Sequence, residues 1–201
     1  MFNRETGYET SPYYIAQMRN GPVGHTDEDS WSVAMRLLIH YVGDSHQPLH
    51  GETRVDKAYE QGDKGGNDFP LPNHYSVNEL HALWDSTIYE LHVNPKLPFS
   101  DADWTAWGLT ADKFVEKHPV STLKDVTNLD PKEWAKETFE IASNYAYIGI
   151  KENEVIPQSY IDTCMPLAEA QLVTAGNRLA NILMSLTHLS IPVQSPKFLQ
   201  H

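Results

Sequence analysis

The stretch His40-Tyr-Val-Gly-Asp44-Ser-His46-Gln-Pro48-Leu-His50 restricts what this chain can fold into more than any other. Upstream of it Trp31, Ala34, Leu37, Leu38 and Tyr41 recur at helical spacing, and Ser30 with the acidic residues before it marks a helix start. A helix is therefore expected over 30–45. Pro48, which has no backbone N–H to give, stops it. Within the helix His40 and Asp44 share one face, so an imidazole stands beside a carboxylate, as needed to grip a divalent metal ion. The turn after Pro48 then brings His50 back toward that end.

The other elements follow from the same cues. Residues 1–29 read as irregular, broken by Gly7, Pro12, Gly21, Pro22 and Gly24, with a short helical turn at most around Tyr14 to Arg19. His25 and Asp29 repeat the four-residue spacing there but read as a surface loop. After His50 comes a long polar connection, 51–78, holding Gly62-Asp63-Lys64-Gly65-Gly66-Asn67-Asp68. A connection of that length is uncommon unless it is functional or disordered. Its glycines permit positive φ and close backbone approach, and binding loop and plain surface turn both stay open. Asn78 is a candidate cap for a second helix over 79–91, with Leu80, Leu83, Trp84, Ile88 and Leu91 on its apolar side. A third helix is expected over 101–117 and a fourth over 131–151, opened by Asp130-Pro131-Lys132-Glu133. The last spans 159–188, with Pro166 expected to kink or restart it and Gly176 with Ala180, and Ala175 beside Gly176, marking a close helix contact. Strands are hardly signalled. The expectation is an all-α, single-domain helical bundle with a long Gly-rich loop between its two ligand-bearing helices.

Composition narrows the function. The 201 residues are 40% hydrophobic, enough for one well-filled core. No apolar run is long enough to cross a bilayer, and the first residues lack the apolar core of a secretory signal. No membrane insertion is expected. A formal charge of −12 argues against nucleic-acid binding through a generalised basic surface. A phosphate-bearing ligand would need a local positive source, and bound metal ions are one. A single cysteine, Cys164, cannot form an intrachain disulfide and no Asn-x-Ser/Thr sequon occurs, so the compartment stays open.

The second helix repeats the His-x3-Asp spacing at His81 and Asp85, which gives five residues in one constellation: His40, Asp44, His50, His81 and Asp85. Zinc accepts imidazole nitrogen and carboxylate oxygen, and helical bundles build such sites from facing helices. His50, His81 and Asp85 would hold one zinc with a coordination position left open, the catalytic pattern. His40 and Asp44 would serve a second ion. His46, His74, His92, His118, His188 and His201 read as structural or solvent-facing. Gln47 and Asp63 are candidates for orienting the imidazoles from outside, and the sequence does not choose between them. Tyr59, Phe69 and Tyr75, near the Gly-rich loop, read as packing residues rather than base-stacking platforms.

His40 through His50, then Gly62-Asp63-x-Gly65-Gly66-Asn67, then Leu80-His81-x-Leu-Trp84-Asp85, resemble the S1/P1 nuclease family in order and spacing. The Ala175-Gly176-Asn-Arg178-Leu179-Ala180 segment is similar to that family's closing helix. The resemblance runs from about Ser30 to Leu186 and implies the fold shared with zinc-dependent phospholipases C. It implies a trinuclear zinc cluster hydrolysing single-stranded DNA and RNA to 5′-nucleotides and removing 3′-phosphates, through a zinc-activated hydroxide and with no protein nucleophile. His40 and Asp44 would bind one zinc, with Asp44, the catalytic carboxylate of the set, bridging to another; His50, His81 and Asp85 would complete a third site. Asn67 would contact the base, and Asp63 belongs to the same substrate-binding loop.

The family's mature chain begins with a Trp whose amino group binds zinc, and further upstream ligands complete its cluster. This sequence begins at Met1 and shows one full three-ligand site, half of a second, and Asp44 alone for the third. The expectation is a domain lacking its N-terminal part: a piece of a secreted nuclease whose signal peptide lies upstream, or a chain whose site a second chain completes. The alternatives are a catalytically incomplete homologue kept as a structural or binding subunit, and a phospholipase C, which the Gly-Gly-Asn loop disfavours.

Overall fold

The structure, a computed structural model, describes residues 27–93 and 96–186. The expectations for the N-terminal stretch before Asp27, for His25 and for His188 lie outside them. Helices dominate: α1 (Asp27–Asp44), α2 (Leu80–Asp85), α3 (Asp101–Lys117), α4 (Pro131–Ile141) and α5 (Gln158–Leu186). Strands β1 (Pro70–His74) and β2 (Val77–Glu79) pair antiparallel within the connection from α1 to α2. None of the described helices is long and apolar enough to cross a membrane.

Helix boundaries follow local chemistry, with four departures from the sequence reading. First, α1 starts at Asp27 rather than Ser30. Second, the helix expected over 79–91 ends at Asp85. The Ser86 hydroxyl donates to Leu83 O (2.8 Å) and accepts from Tyr89 N (3.1 Å), and Thr87, Ile88 and Tyr89 turn left-handed with φ of 52°, 54° and 74°. That conformation is costly for β-branched residues. It is held by the complete burial of Ile88 and by its N–H on Leu83 O (2.9 Å).

Third, the helix expected over 131–151 leaves α geometry at Ile141. It widens into a π-helical turn, Ala142–Ala146, whose two end alanines have no exposed surface. Fourth, α5 continues through Pro166 without restarting, and a Cβ on Gly176 would meet nothing within 4 Å. The close contact is made by its neighbour Ala175, buried against Val42 and Trp134. By contrast α3 has the expected bounds, set by a Ser100–Asp103 capping box.

Two cores result. The larger gathers Leu49, Phe69, Leu71, Val77, Leu80, Leu83, Trp84 and Ile88 against Ala142, Ala146, Tyr160, Cys164 and Ala168. Within it Trp84 Nε1 donates to Tyr160 Oη (2.9 Å), which donates to Ala146 O (2.8 Å), so the buried polar atoms of both rings are satisfied. The smaller joins α1, α4 and α5 and is centred on Arg178, which has no exposed surface. Arg178 Nη1 and Nη2 donate to the two Glu137 carboxylate oxygens (2.7 and 3.0 Å), and Nη2 also donates to Asp125 O (3.0 Å).

Arg178 Nη1 further donates to His46 Nε2 (2.9 Å), while His46 Nδ1–H donates to Val42 O (2.7 Å). The contact from Arg178 requires a neutral imidazole with its proton on Nδ1. Burial, together with the Arg178 charge, pushes the His46 pKa down to about 4 against the opposing pull of the Val42 bond.

Removing this hub leaves a carboxylate with no counter-charge and a void against Trp134. Arg178→Ala should cost about 3–5 kcal/mol, read as a lowered midpoint in chemical denaturation. Cys164 is 1% exposed and burial pushes its thiol up to about 11. It should resist a chromogenic disulfide reagent at pH 8 in the native chain and react as one thiol per chain in denaturant.

Candidate metal centre

Helix α2 is six residues long, too short to persist alone, and tertiary packing holds it. Leu80, Leu83 and Trp84 fill the core, which leaves His81 and Asp85, one turn apart, on the outward side with Nε2 and Oδ1 at 3.7 Å. Its first N–H groups, which a helix start leaves orphaned, are satisfied by the preceding loop: Leu80 N donates to Phe69 O (3.0 Å) and His81 N to Gly66 O (3.3 Å).

His50 arrives from the other side. After α1 a 3₁₀ turn, Pro48–His50, buries Pro48 and Leu49 and leaves His50 about a third exposed. The His50 ring centroid lies 4.8 Å from that of His81. His50, His81 and Asp85 each offer a ligand atom, all within 4.8 Å of one another. Bonds of 2.0–2.2 Å about a tetrahedral ion separate ligand atoms by about 3.4 Å, so modest side-chain rotation closes this set on a cation. His40 Nε2 and Asp44 Oδ2 are 3.1 Å apart, and the same Asp44 oxygen is 4.0 Å from His50 Nδ1. Asp44 therefore faces both the His40 side and the three-residue group. Burial lowers the His50 pKa against the opposing pull of Asp44, which keeps its ring in the ligand-competent neutral form.

The protonation pattern suits metal binding as well. Gly65 O can only accept, so the 2.7 Å contact with His81 Nδ1 puts a proton there and leaves the Nε2 lone pair facing Asp85. Gly65 has φ of +64°, and a Cβ there would lie 2.3 Å from Leu49 O. No other residue fits. The donor set of two imidazoles and a carboxylate, with one tautomer already fixed by the backbone, fits a divalent metal ion of borderline softness.

The loop residues divide in two. Asn67 is exposed at the loop surface, its Nδ2 donating to Lys64 O (2.7 Å). Asp63 has no exposed surface, and its recorded hydrogen bonds are internal. Its Oδ1 accepts from Arg54 N (3.0 Å), Thr53 Oγ1 (3.2 Å) and Tyr147 Oη (3.2 Å), and Thr53 Oγ1 in turn accepts from Gly65 N (3.3 Å). Asp63 thus braces the loop that orients His81 from one step away. Phe69 is buried core, as expected, while Tyr75 is 54% exposed and stacks on His92 at 4.1 Å. The sequence reading missed the Gly65 carbonyl and Tyr147. Only the paired glycines signalled the first, and nothing local signalled the second.

A sequence profile described as S1/P1 nuclease matches residues 9–188. Endonuclease 1 of Arabidopsis thaliana is 26% identical over 189 residues, which cover 85% of this chain and 55% of that protein. Endonuclease 2 of the same plant is 29% identical, covering 85% and 58%. Nuclease P1 of Penicillium citrinum is 25% identical, covering 74% and 55%. The chain spans about half the length of the curated relatives it matches.

Asp85→Asn replaces a charged ligand by a neutral, poorer one. It should weaken divalent-ion binding by more than about a hundredfold, because even outer partners of metal ligands are worth tenfold to a hundredfold. Elemental analysis after equilibrium dialysis checks this.

Proposed function

The chain belongs to the S1/P1 nuclease family, and on that premise we propose that it is a zinc-dependent nuclease acting on single-stranded DNA or RNA, with 3′-nucleotidase activity on the products. The observation that carries the reading is the convergence of His50, His81 and Asp85 within 4.8 Å, with Asp44 and His40 alongside. His50, His81 and Asp85 would hold one zinc, and His40 with Asp44 would hold a second, Asp44 lying within reach of both sets. Bound zinc supplies Lewis-acid charge for phosphoryl oxygens and makes water nucleophilic at neutral pH.

This chain's residues do the rest. Gly65 O places the proton of the neutral His81 ring on Nδ1, which leaves Nε2 as the ligand atom. Asp63 and Thr53 hold the loop at the height that presents Asn67, whose exposed amide is suited to hydrogen-bond a base edge. The chain's charge of −12 disfavours general attraction to phosphate, so substrate affinity concentrates where the cations sit.

The zinc-loaded chain should degrade heat-denatured DNA in preference to duplex and lose that activity to a chelator. Asp44→Asn should lower kcat/KM at least about a hundredfold, the equivalent of losing a few kcal/mol of charge stabilisation. A fully metallated chain that leaves denatured DNA intact would refute the reading. Release of mononucleotides, followed by chromatography, is the readout.

A further inference from the structure

Asp85 is the least constrained of the three grouped ligands. Its side chain is 53% exposed, it stands at the last position of a six-residue helix, and the backbone beyond it turns left-handed at once. His81, by contrast, is pinned by Gly65 O. A side-chain hydrogen bond restrains Asp85: Gln47 Nε2 donates to Asp85 Oδ1 at 2.9 Å. The same amide nitrogen lies 3.5 Å from His81 Nε2, so its hydrogens face the two ligand atoms that α2 contributes.

The orientation of that amide is not free. Leu49 N–H can only donate, and it donates to Gln47 Oε1, which caps the turn bearing His50. With Oε1 committed to Leu49, Nε2 must point at α2. Gln47 is therefore clamped at both ends, to the His50 turn through its oxygen and to Asp85 through its nitrogen. Its backbone adds a third fixed point, since Gln47 N donates to Asp44 O (3.0 Å). One residue touches the local frames of Asp44, His50, His81 and Asp85.

We propose that Gln47 is the positioning residue of this metal centre: its amide holds the Asp85 carboxylate toward His81 while capping the turn that carries His50, and so sets the site's metal affinity. This rests on the metal reading above. Without the donor, the exposed carboxylate rotates among solvent-facing positions and the three-atom set must be reassembled at each binding event.

The test uses the 201-residue chain with zinc alone, and with cobalt(II) as a coloured substitute. Affinity is measured by competition with a chromophoric chelator, and stability by denaturation of the metal-free protein. Gln47→Asn keeps an amide oxygen suited to capping, while its shorter stem falls short of Asp85. It should weaken zinc binding about 10–100-fold and alter the visible spectrum of the cobalt form, with the unfolding midpoint of the metal-free chain unmoved. An affinity within about twofold of the parent overturns the proposal. Should the midpoint fall as well, the pair with Asp85→Asn decides. No loss beyond that of Asp85→Asn alone supports a role exerted through Asp85, and additive losses overturn it. A parent chain that takes up no zinc overturns the metal reading itself, an outcome distinct from a parent that binds and a variant that binds equally.

Discussion

A guanidinium with no access to water sits where three helices meet, and its charge must be answered from within the protein. Arg178 meets that requirement with four groups from three separate segments: the Glu137 carboxylate and the face of Trp134 (5.4 Å) on α4, the Asp125 carbonyl in the preceding loop, and the His46 ring just past α1. The arrangement is demanding because each of the Nη1 and Nη2 hydrogen bonds needs its acceptor at one distance and angle. An apolar contact tolerates sliding, whereas this set fixes how α1, α4 and α5 lie together. His46 carries the constraint into the site. It stands between Asp44 and Gln47, and with Nε2 on Arg178 and Nδ1 on Val42 O it can neither rotate nor take up a second proton without losing a contact.

From that anchor the metal centre is assembled as much by backbone as by side chains. Gly65 packs so closely that a Cβ on it would collide with Leu49 O, and its carbonyl decides which nitrogen of His81 is free. The loop holding it is stiffened by a buried carboxylate, Asp63, and by Arg54, whose guanidinium pairs with Glu152 and lies over the rings of Tyr59, Phe69 and Tyr147. Beyond Asp85 the left-handed run of Thr87, Ile88 and Tyr89 stores strain that burial of Ile88 sustains. Strain and a minimal helix suit a position where two side chains, not a long surface, must be presented.

The electrostatics are those of a site waiting for charge. Asp44 and Asp85 stand beside three imidazoles on a chain with 27 acidic and 15 basic residues. Without a cation those carboxylates repel phosphate. With one, the local field reverses over a few ångströms while the rest of the surface stays negative.

The sequence by itself determined the chemistry. His40 and Asp44, and His81 and Asp85, are four apart, and helical geometry alone puts each pair on one face. Pro48 had to end α1, and paired glycines had to mark a backbone conformation closed to other residues. Helix α3 was legible to its ends because Ser100 and Asp103 cap it locally. What the sequence could not carry was long-range. The Gln47–Asp85 contact joins positions 38 apart, and Asp63 turned inward because Tyr147, 84 residues on, meets it. Helix α2 stopped short, and α4 widened, because burying Ile88, Ala142 and Ala146 outweighed local propensity. Spacing within a turn follows from covalent geometry and survives any fold. Which buried group answers which is decided only when the chain has closed on itself.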